Sequence, residues 1–265
     1  MEPQNPTEPL KPVDYDRAQH QAYARGRALP ASAIQRYMEL FAAYLPARRP
    51  LEGIDLGSGA GRFTPALANA FGGPIFGVEP ADAMREAATG EAWHHAVTYL
   101  AGRAEAIPRP DASADFVLMF LSYHHVADKP AAAREIARVL KPGGRLLLRS
   151  TWQERIPDHW WRNYFPRSWD IERAMFPTEA ETRALFERAG FRTIDSVQIE
   201  APFEGDMAEA VARLKLRAVS VFEHMTEAEL AEGFARIDAD LAAGAIAGKG
   251  TYHDFLVLAA PGEAP

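Results

Sequence analysis

The sequence predicts an α/β protein with a mostly parallel, doubly wound sheet covered by helices on both faces. From about residue 51 onward, short apolar runs alternate with segments of helical period, which is typical of buried parallel strands joined by crossover helices. The first of these strands ends in a glycine-rich turn that leads into a helix. A chain of 265 residues with 48% hydrophobic residues can bury a substantial core around such a sheet.

The elements follow from the local pattern. Residues 14–45 are predicted to be helical, and the clearest apolar face comprises Ile34, Met38, Leu40, Phe41 and Leu45. Strands are predicted at residues 51–56, 74–78, 97–101, 116–120, 145–150, 191–200 and 252–259. Helices are predicted at residues 64–70, 81–89, 131–140 and 178–189, and over most of 207–243 with a break near 224–226. Residues 151–177 fit neither period and hold four of the five tryptophans.

Composition and charge exclude several classes of function. The chain has no cysteine, so it forms no disulfide, cysteine-ligated zinc site, iron–sulfur cluster or thiol nucleophile, and no metal site is predicted. The net charge is −7 without a basic run, which argues against a nucleic-acid partner. We find no signal-peptide pattern and no apolar run near the roughly 18 residues of a spanning helix. A soluble, cytoplasmic protein without a membrane span is therefore expected.

A glycine loop and a downstream carboxylate are the most informative features. The loop Gly57-Ser58-Gly59-Ala60-Gly61 joins the first strand to a helix, so the backbone can turn sharply and a ligand can approach it closely. Glu79 ends the next strand, about 20 residues further on, which suits a carboxylate that accepts both ribose hydroxyls of an adenosine ligand. The GxGxG spacing, followed by Arg62, differs from the GxGxxG of a nicotinamide-binding turn.

Five segments in order resemble the motifs of class I S-adenosylmethionine-dependent methyltransferases: residues 54–64, 77–84, 102–108, 113–117 and 139–146. The resemblance covers residues 51–150 and is to the broad small-molecule group that includes ubiquinone- and menaquinone-pathway methyltransferases. It implies a Rossmann-like, seven-stranded sheet with an antiparallel last strand. It also implies four regions: an N-terminal helical lid (1–45), a cofactor-binding core (46–150), an aromatic substrate-covering insertion (151–190), and C-terminal strands and helices that complete the sheet (191–265).

The resemblance implies a set of cofactor contacts in the core. Gly57, Ser58 and Gly59 face the methionine part of S-adenosylmethionine, Asp55 helps to hold its amino group, and Glu79 takes the ribose hydroxyls. The adenine side comprises Pro80, Met84, Ala104 and Glu105, and Leu121 completes the core set. Many relatives carry an acid where Arg103 stands. Since arginine has no acceptor, either Glu105 or a backbone carbonyl accepts from the adenine amine, or that contact is missing.

The lid adds three residues to the predicted cofactor site. Tyr15 and Tyr23 bond to the cofactor carboxylate or pack on it, and Arg25 or Arg27 pairs with it. The alternative interpretation of this segment is a surface amphipathic helix.

The predicted chemistry is an in-line displacement that yields S-adenosylhomocysteine, with an oxygen or nitrogen of a small, partly aromatic metabolite as acceptor. His124 and His125 follow the fourth strand and are candidate bases, although either can instead cap the next helix or bond the backbone. The predicted acceptor pocket comprises Tyr123, Trp152, Arg155, Trp160, Trp161 and Tyr164. The alternative for each tryptophan is the core of a packed helical subdomain.

Two other functions remain open from the sequence. One is a catalytically inactive, cofactor-binding regulatory or scaffold subunit, and the other is a nicotinamide-dependent oxidoreductase. The oxidoreductase is disfavoured by the spacing of the glycine loop. The expected assembly is a monomer or a homodimer.

Overall fold

The computed structural model of the protein describes Gly26 and residues 29–262. Within them the strands are β1 (Leu51–Leu56), β2 (Gly72–Glu79), β3 (Val97–Ala101), β4 (Ala114–Phe120), β5 (Leu140–Ser150), β6 (Arg192–Ala201) and β7 (Thr251–Ala259). The α-helices are α1 (Ala31–Tyr44), α2 (Thr64–Phe71), α3 (Asp82–Glu91), α4 (Lys129–Val139), α5 (Ser168–Met175), α6 (Glu179–Arg188), α7 (Met207–Leu214) and α8 (Glu227–Ala242). The predicted lid residues Tyr15, Tyr23, Arg25 and Arg27 lie outside the described part of the chain.

The described strands form one seven-stranded sheet in the order β3-β2-β1-β4-β5-β7-β6. Strands β1 to β5 pair in parallel, and β7 runs antiparallel between β5 and β6. The predicted fold class is therefore confirmed. Because the chain first builds outward from β1 to β3 and then returns to place β4 on the other side of β1, the strand order reverses between β1 and β4. The carboxyl ends of these strands form the crevice in which such sheets bind ligands.

The two faces of the sheet carry separate cores, and strand alternation divides them. Phe116 and Leu118 of β4 pack with α1 and α2, whereas Val117 and Met119 pack with α4 and α6. A third core lies beyond the sheet and joins residues 161–175 to residues 211–237. It includes Trp161, Phe165, Ile171, Val211, Phe222 and Ile237. The aromatic insertion and the helices of the C-terminal region thus share one core.

The buried face of α1 agrees only in part with the predicted one. Phe41 and Leu45 are buried as predicted, whereas Ile34, Met38 and Leu40 are only partly buried. Tyr37, which the predicted face does not include, is buried, and a buried tyrosine hydroxyl usually has a hydrogen-bond partner. Tyr37 has that partner in His253 of β7, which the sequence pattern of α1 does not reveal.

Candidate active site

The glycine loop after β1 is shaped by its own backbone and by the loop after β4. Gly57, Gly59 and Gly61 have φ angles of +75°, +54° and +79°, a left-handed region that favours glycine. The Gly57 N–H donates to the carbonyl of Val78 at 2.8 Å, which ties the turn to β2. A Cβ atom added to Gly57 would lie 2.5 Å from the Cβ of Ser122. The turn therefore brings β1, β2 and the loop after β4 together at the crevice.

Glu79 bridges the end of β2 and the glycine loop. Its side chain is buried, and its carboxylate accepts from the N–H of Gly59 at 2.9 Å and from the N–H of Ala81 at 3.0 Å. Arg85 donates to the carbonyl of Glu79 at 2.7 Å. An ionised carboxylate accepts hydrogen bonds at both oxygens, and each oxygen can accept more than one. The carboxylate thus faces the loop at the position predicted for a ribose contact.

Asp55 is a buried carboxylate beside the same loop. It lies in β1, is 3% exposed and accepts from the hydroxyl of Thr64 at 2.7 Å. Burial raises the pKa of Asp55 to about 6. Near neutral pH this position therefore holds a poorly hydrated anion, which a cation beside it would stabilise. The hydroxyl of neighbouring Ser58 is also buried and has no hydrogen-bond partner among the described residues.

The predicted adenine side lies along the ends of β2 and β3. Met84 and Ala104 are buried, whereas Pro80 is exposed. The carboxylate of Glu105 accepts from the N–H groups of Ala127 and Asp128, each at 3.1 Å. The side chain of Glu105 therefore holds the loop before α4, and an adenine contact of the Glu105 backbone stays a prediction.

A cavity of about 250 Å³ opens beyond the carboxyl ends of β4 and β5. Four of the residues predicted from the sequence line it: Leu121, His124, His125 and Trp161. Leu121 follows β4 with a φ of +57°, an uncommon conformation for a residue with a branched side chain, and its N–H donates to the carbonyl of Arg149 at 2.9 Å. Such local strain is typical of functional sites, where the surrounding structure holds it in place.

The two candidate bases lie side by side at the cavity wall. His124 and His125 belong to a short 3₁₀ turn, Tyr123–His125, that follows β4. Their ring centroids are 3.9 Å apart, and the ring of His124 meets the ring of Phe176 edge-on at 4.7 Å. His124 is half-buried and His125 is exposed. The more enclosed His124 is therefore the better placed of the two to act away from water.

Five residues predicted to contact the acceptor do not line the cavity. Tyr123 and Trp152 are almost fully buried in the core on the α4 side of the sheet. Arg155 pairs with Asp254 at 3.0 Å and with Glu179. The hydroxyl of Tyr164 donates to Asp240 at 2.8 Å, and Trp160 packs against the third core. Each of these side chains has a structural contact elsewhere, and we leave them out of the proposed acceptor site.

Three residues that the sequence did not single out face the cavity together: Tyr37 of α1, Arg149 of β5 and His253 of β7. The Tyr37 hydroxyl is hydrogen bonded to Nδ1 of His253. Burial raises the pKa of Tyr37, and burial together with the charge of Arg149 lowers the pKa of His253 to about 2. Of these three residues, Arg149 is the one that the sequence could have indicated, because its charge directly follows the apolar run Leu146–Leu148.

No helix in the described part of the chain is long and apolar enough to cross a membrane. The same residues hold no group of three His, Asp or Glu side chains positioned to bind a metal ion.

Comparisons with known proteins find similarity to methyltransferases. Residues 54–148 match a protein family described as "Methyltransferase domain". An uncharacterized methyltransferase of Mycobacterium tuberculosis is 39% identical over 137 residues, which is 51% of either chain. A ubiquinone/menaquinone biosynthesis C-methyltransferase of Shewanella baltica is 31% identical over 122 residues, 43% of this chain and 49% of that protein. The chain thus matches about half the length of these curated relatives.

The sheet and its helices also resemble solved structures. A putative methyltransferase from an antibiotic biosynthesis pathway of Anabaena variabilis superposes with a TM-score of 0.71. That match covers 84% of this chain and 96% of the other, at 22% sequence identity. At this identity the likeness concerns the fold.

Proposed function

We propose that the whole chain methylates a small molecule. The premise is that residues 54–148 are a class I, S-adenosylmethionine-dependent methyltransferase domain. The observation that carries the proposal is the Glu79 carboxylate at the end of β2, which lies 2.9 Å from the Gly59 amide in the loop after β1, beside the point where the strand order reverses. A cavity adjoins this point at the carboxyl ends of β4 and β5. A cofactor crevice and an acceptor cavity side by side are what a transfer between two ligands needs.

The residues of the crevice suit the groups of S-adenosylmethionine one by one. The Glu79 carboxylate is an acceptor that suits the ribose hydroxyls, and the buried Asp55 offers a negative charge to the amino group. Met84 and Ala104 offer apolar surface to the adenine. The bound sulfonium supplies an electrophilic methyl group, and every other part of the reaction falls to the protein.

The protein orients the acceptor and removes its proton. We place the acceptor in the cavity beside Leu121 and His124, so that its nucleophilic atom, an oxygen or a nitrogen, faces the methyl position. Orientation of two reactants in this way contributes roughly 7–11 kcal/mol to lowering a barrier. His124 accepts the acceptor's proton at a ring nitrogen, which adds about 10²–10⁴-fold to the rate for an O–H or protonated amine. The edge of Phe176 against His124 limits the access of water.

Two measurements test the proposal. Calorimetric titration with S-adenosylhomocysteine and, separately, with NADH identifies the cofactor, and we expect binding of the first alone. Incubation with methyl-labelled S-adenosylmethionine and a metabolite set then measures transfer, and we expect labelled product with at least one small acceptor. Binding of NADH alone would reject the proposal. Binding of S-adenosylhomocysteine without transfer to any acceptor would favour a scaffold subunit.

The position of the methyl group in the labelled product identifies the accepting atom. One relative is named as a C-methyltransferase, whereas the proton-accepting groups around this cavity favour an oxygen or nitrogen acceptor. Mass spectrometry of the labelled product detects the added methyl group. Its carbon-13 chemical shift then tells whether the methyl group is bonded to oxygen, nitrogen or carbon. A methyl signal on carbon would contradict the proposed acceptor atom while leaving the cofactor assignment intact.

A further inference from the structure

Two arginines from distant segments converge on one aromatic ring in the cavity wall. Arg62 follows the glycine loop, and Arg149 ends β5, yet each guanidinium carbon lies 5.9 Å from the centroid of the Phe120 ring. The ring of Tyr37 meets Phe120 edge-on at 4.9 Å. All four side chains line the cavity. The wall therefore combines a flat apolar surface with two planar cationic donors.

Arginines outnumber carboxylates in the described lining of the cavity. It contains Arg62, Arg149 and Arg162, whereas its carboxylate is Glu172, which pairs with Arg162. The chain as a whole carries a net charge of −7. A cationic wall in an acidic protein is not a consequence of average composition, and such a wall concentrates anions.

Arg149 is held in place before any ligand arrives. It is 3% exposed and donates to the carbonyl of Ser150 at 2.7 Å and to the hydroxyl of Thr151 at 3.3 Å, both neutral acceptors. A guanidinium is a rigid fork whose geometry matches a carboxylate or phosphate. The positive potential of Arg149 also contributes to the low pKa of neighbouring His253. The imidazole of His253 is therefore neutral near pH 7 and does not compete with Arg149 for an anion.

Resting on the proposed function, we propose that the methyl acceptor is a small organic oxyanion whose carboxylate or phosphate binds Arg62 and Arg149 beside Phe120. A cavity of about 250 Å³ is slightly below the roughly 300–1,000 Å³ of typical ligand pockets, so the acceptor is compact. The anion serves to orient the acceptor, which leaves a second group on the same molecule to receive the methyl. Arg155, which the sequence predicts in the acceptor pocket, does not line this cavity.

The test uses three simple probes of similar size, each with one phenyl ring: benzoate, phenyl phosphate and neutral benzamide. Their dissociation constants are measured by ligand-observed NMR with the full chain saturated by S-adenosylhomocysteine. We expect one of the two anions to bind at least about tenfold more tightly than benzamide, a difference of 1.4 kcal/mol. Tighter binding of benzoate would indicate a carboxylate on the acceptor, and tighter binding of phenyl phosphate would indicate a phosphate. Equal affinities for all three probes would overturn the inference.

Variants locate the anion. Arg149→Gln and Arg62→Gln should each weaken the preferred anion at least about tenfold while S-adenosylhomocysteine affinity and the melting temperature hold. The control is Arg173→Gln, which removes the same charge from an exposed position on α5 and should change nothing. Anion affinity that survives both cavity substitutions would also overturn the inference. If a variant fails to fold, the comparison of probes on the unchanged chain still decides.

The same experiment separates the two proposals. Failure of S-adenosylhomocysteine to bind would reject the proposed function itself. Cofactor binding with indifference to probe charge would reject only the anionic acceptor.

Discussion

Asp55→Asn should stabilise the cofactor-free protein and at the same time impair cofactor binding. Asp55 is buried in β1, accepts from the Thr64 hydroxyl at 2.7 Å, and has a pKa of about 6 because burial penalises its charge. An asparagine keeps the shape and the oxygen that accepts from Thr64, but it carries no charge to bury. The substitution therefore removes an electrostatic cost from the folded state and removes the negative charge proposed to face the cofactor's amino group.

The magnitude and its pH dependence follow from the two pKa values. The folded value of about 6 lies above the unfolded value of 3.8, so the stability due to this carboxyl is complete below pH 3.8. It falls as the pH rises from 3.8 to about 6 and is constant above that. At 1.36 kcal/mol per pKa unit the loss is about 3 kcal/mol at pH 8, and about half of it is already present at pH 5.

Thermal unfolding at pH 5 and pH 8 measures this difference without added cofactor. At roughly 2–4 °C per kcal/mol, the variant should melt about 6–12 °C above the unchanged protein at pH 8 and about half as far above it at pH 5. The control is Asp170→Asn, an exposed carboxylate on α5, which should change the melting temperature by little at either pH. A variant that melts no higher at pH 8, or a gap that does not widen with pH, would refute the reasoning.

The other predictions concern the cofactor, the base and the core. Glu79→Ala should raise the dissociation constant of S-adenosylhomocysteine more than tenfold by calorimetry, and unchanged affinity would remove the carboxylate from the site. Of His124→Ala and His125→Ala, at least one should lower kcat about 10²–10⁴-fold with cofactor affinity unchanged, and full turnover in both variants would exclude a histidine base. Trp152→Ala should lower the free energy of unfolding, measured by urea denaturation, by about 3–5 kcal/mol because Trp152 is fully buried. Trp161→Phe, at the cavity wall, should chiefly change the KM for the acceptor.

The sheet was predictable because each strand gives a local signal, which is a continuous apolar run for the central strands and an alternation of polar and apolar residues for β6. The predicted bounds of β1 and β3 coincide with the observed ones, Leu51–Leu56 and Val97–Ala101. A parallel strand buried under helices needs a short continuous apolar run, and the turn after it needs glycine or proline, so both signals lie within a few residues. The glycine loop and Glu79 belong to the same stretches of chain. Their meeting at 2.9 Å follows once β1 and β2 are neighbours.

The insertion at residues 151–177 was not predictable in the same way. It folds as two short 3₁₀ turns followed by α5, and its aromatic side chains pack against residues more than 40 positions away, such as Phe222 and Leu230. No single helical face has to be apolar when several short segments each contribute one or two rings. The periodicity that identifies a long amphipathic helix is therefore absent, and the tertiary contacts decide the structure.

The proposed cofactor crevice and the proposed acceptor cavity are built by different means, and this explains why the sequence indicated the residues of the first more completely than those of the second. The cofactor crevice depends on backbone conformation at consecutive positions, as the φ angles of Gly57 and Gly59 show. The acceptor cavity depends on side chains from α1, β5, β7 and the insertion, whose order in the chain carries no trace of their meeting. The third core supplies Trp161 to the lining and is tightly packed, since a Cβ atom on Gly233 would lie 2.2 Å from the ring of Phe165. We therefore expect substitutions in that core to reshape the proposed acceptor cavity while the backbone of the glycine loop stays unchanged.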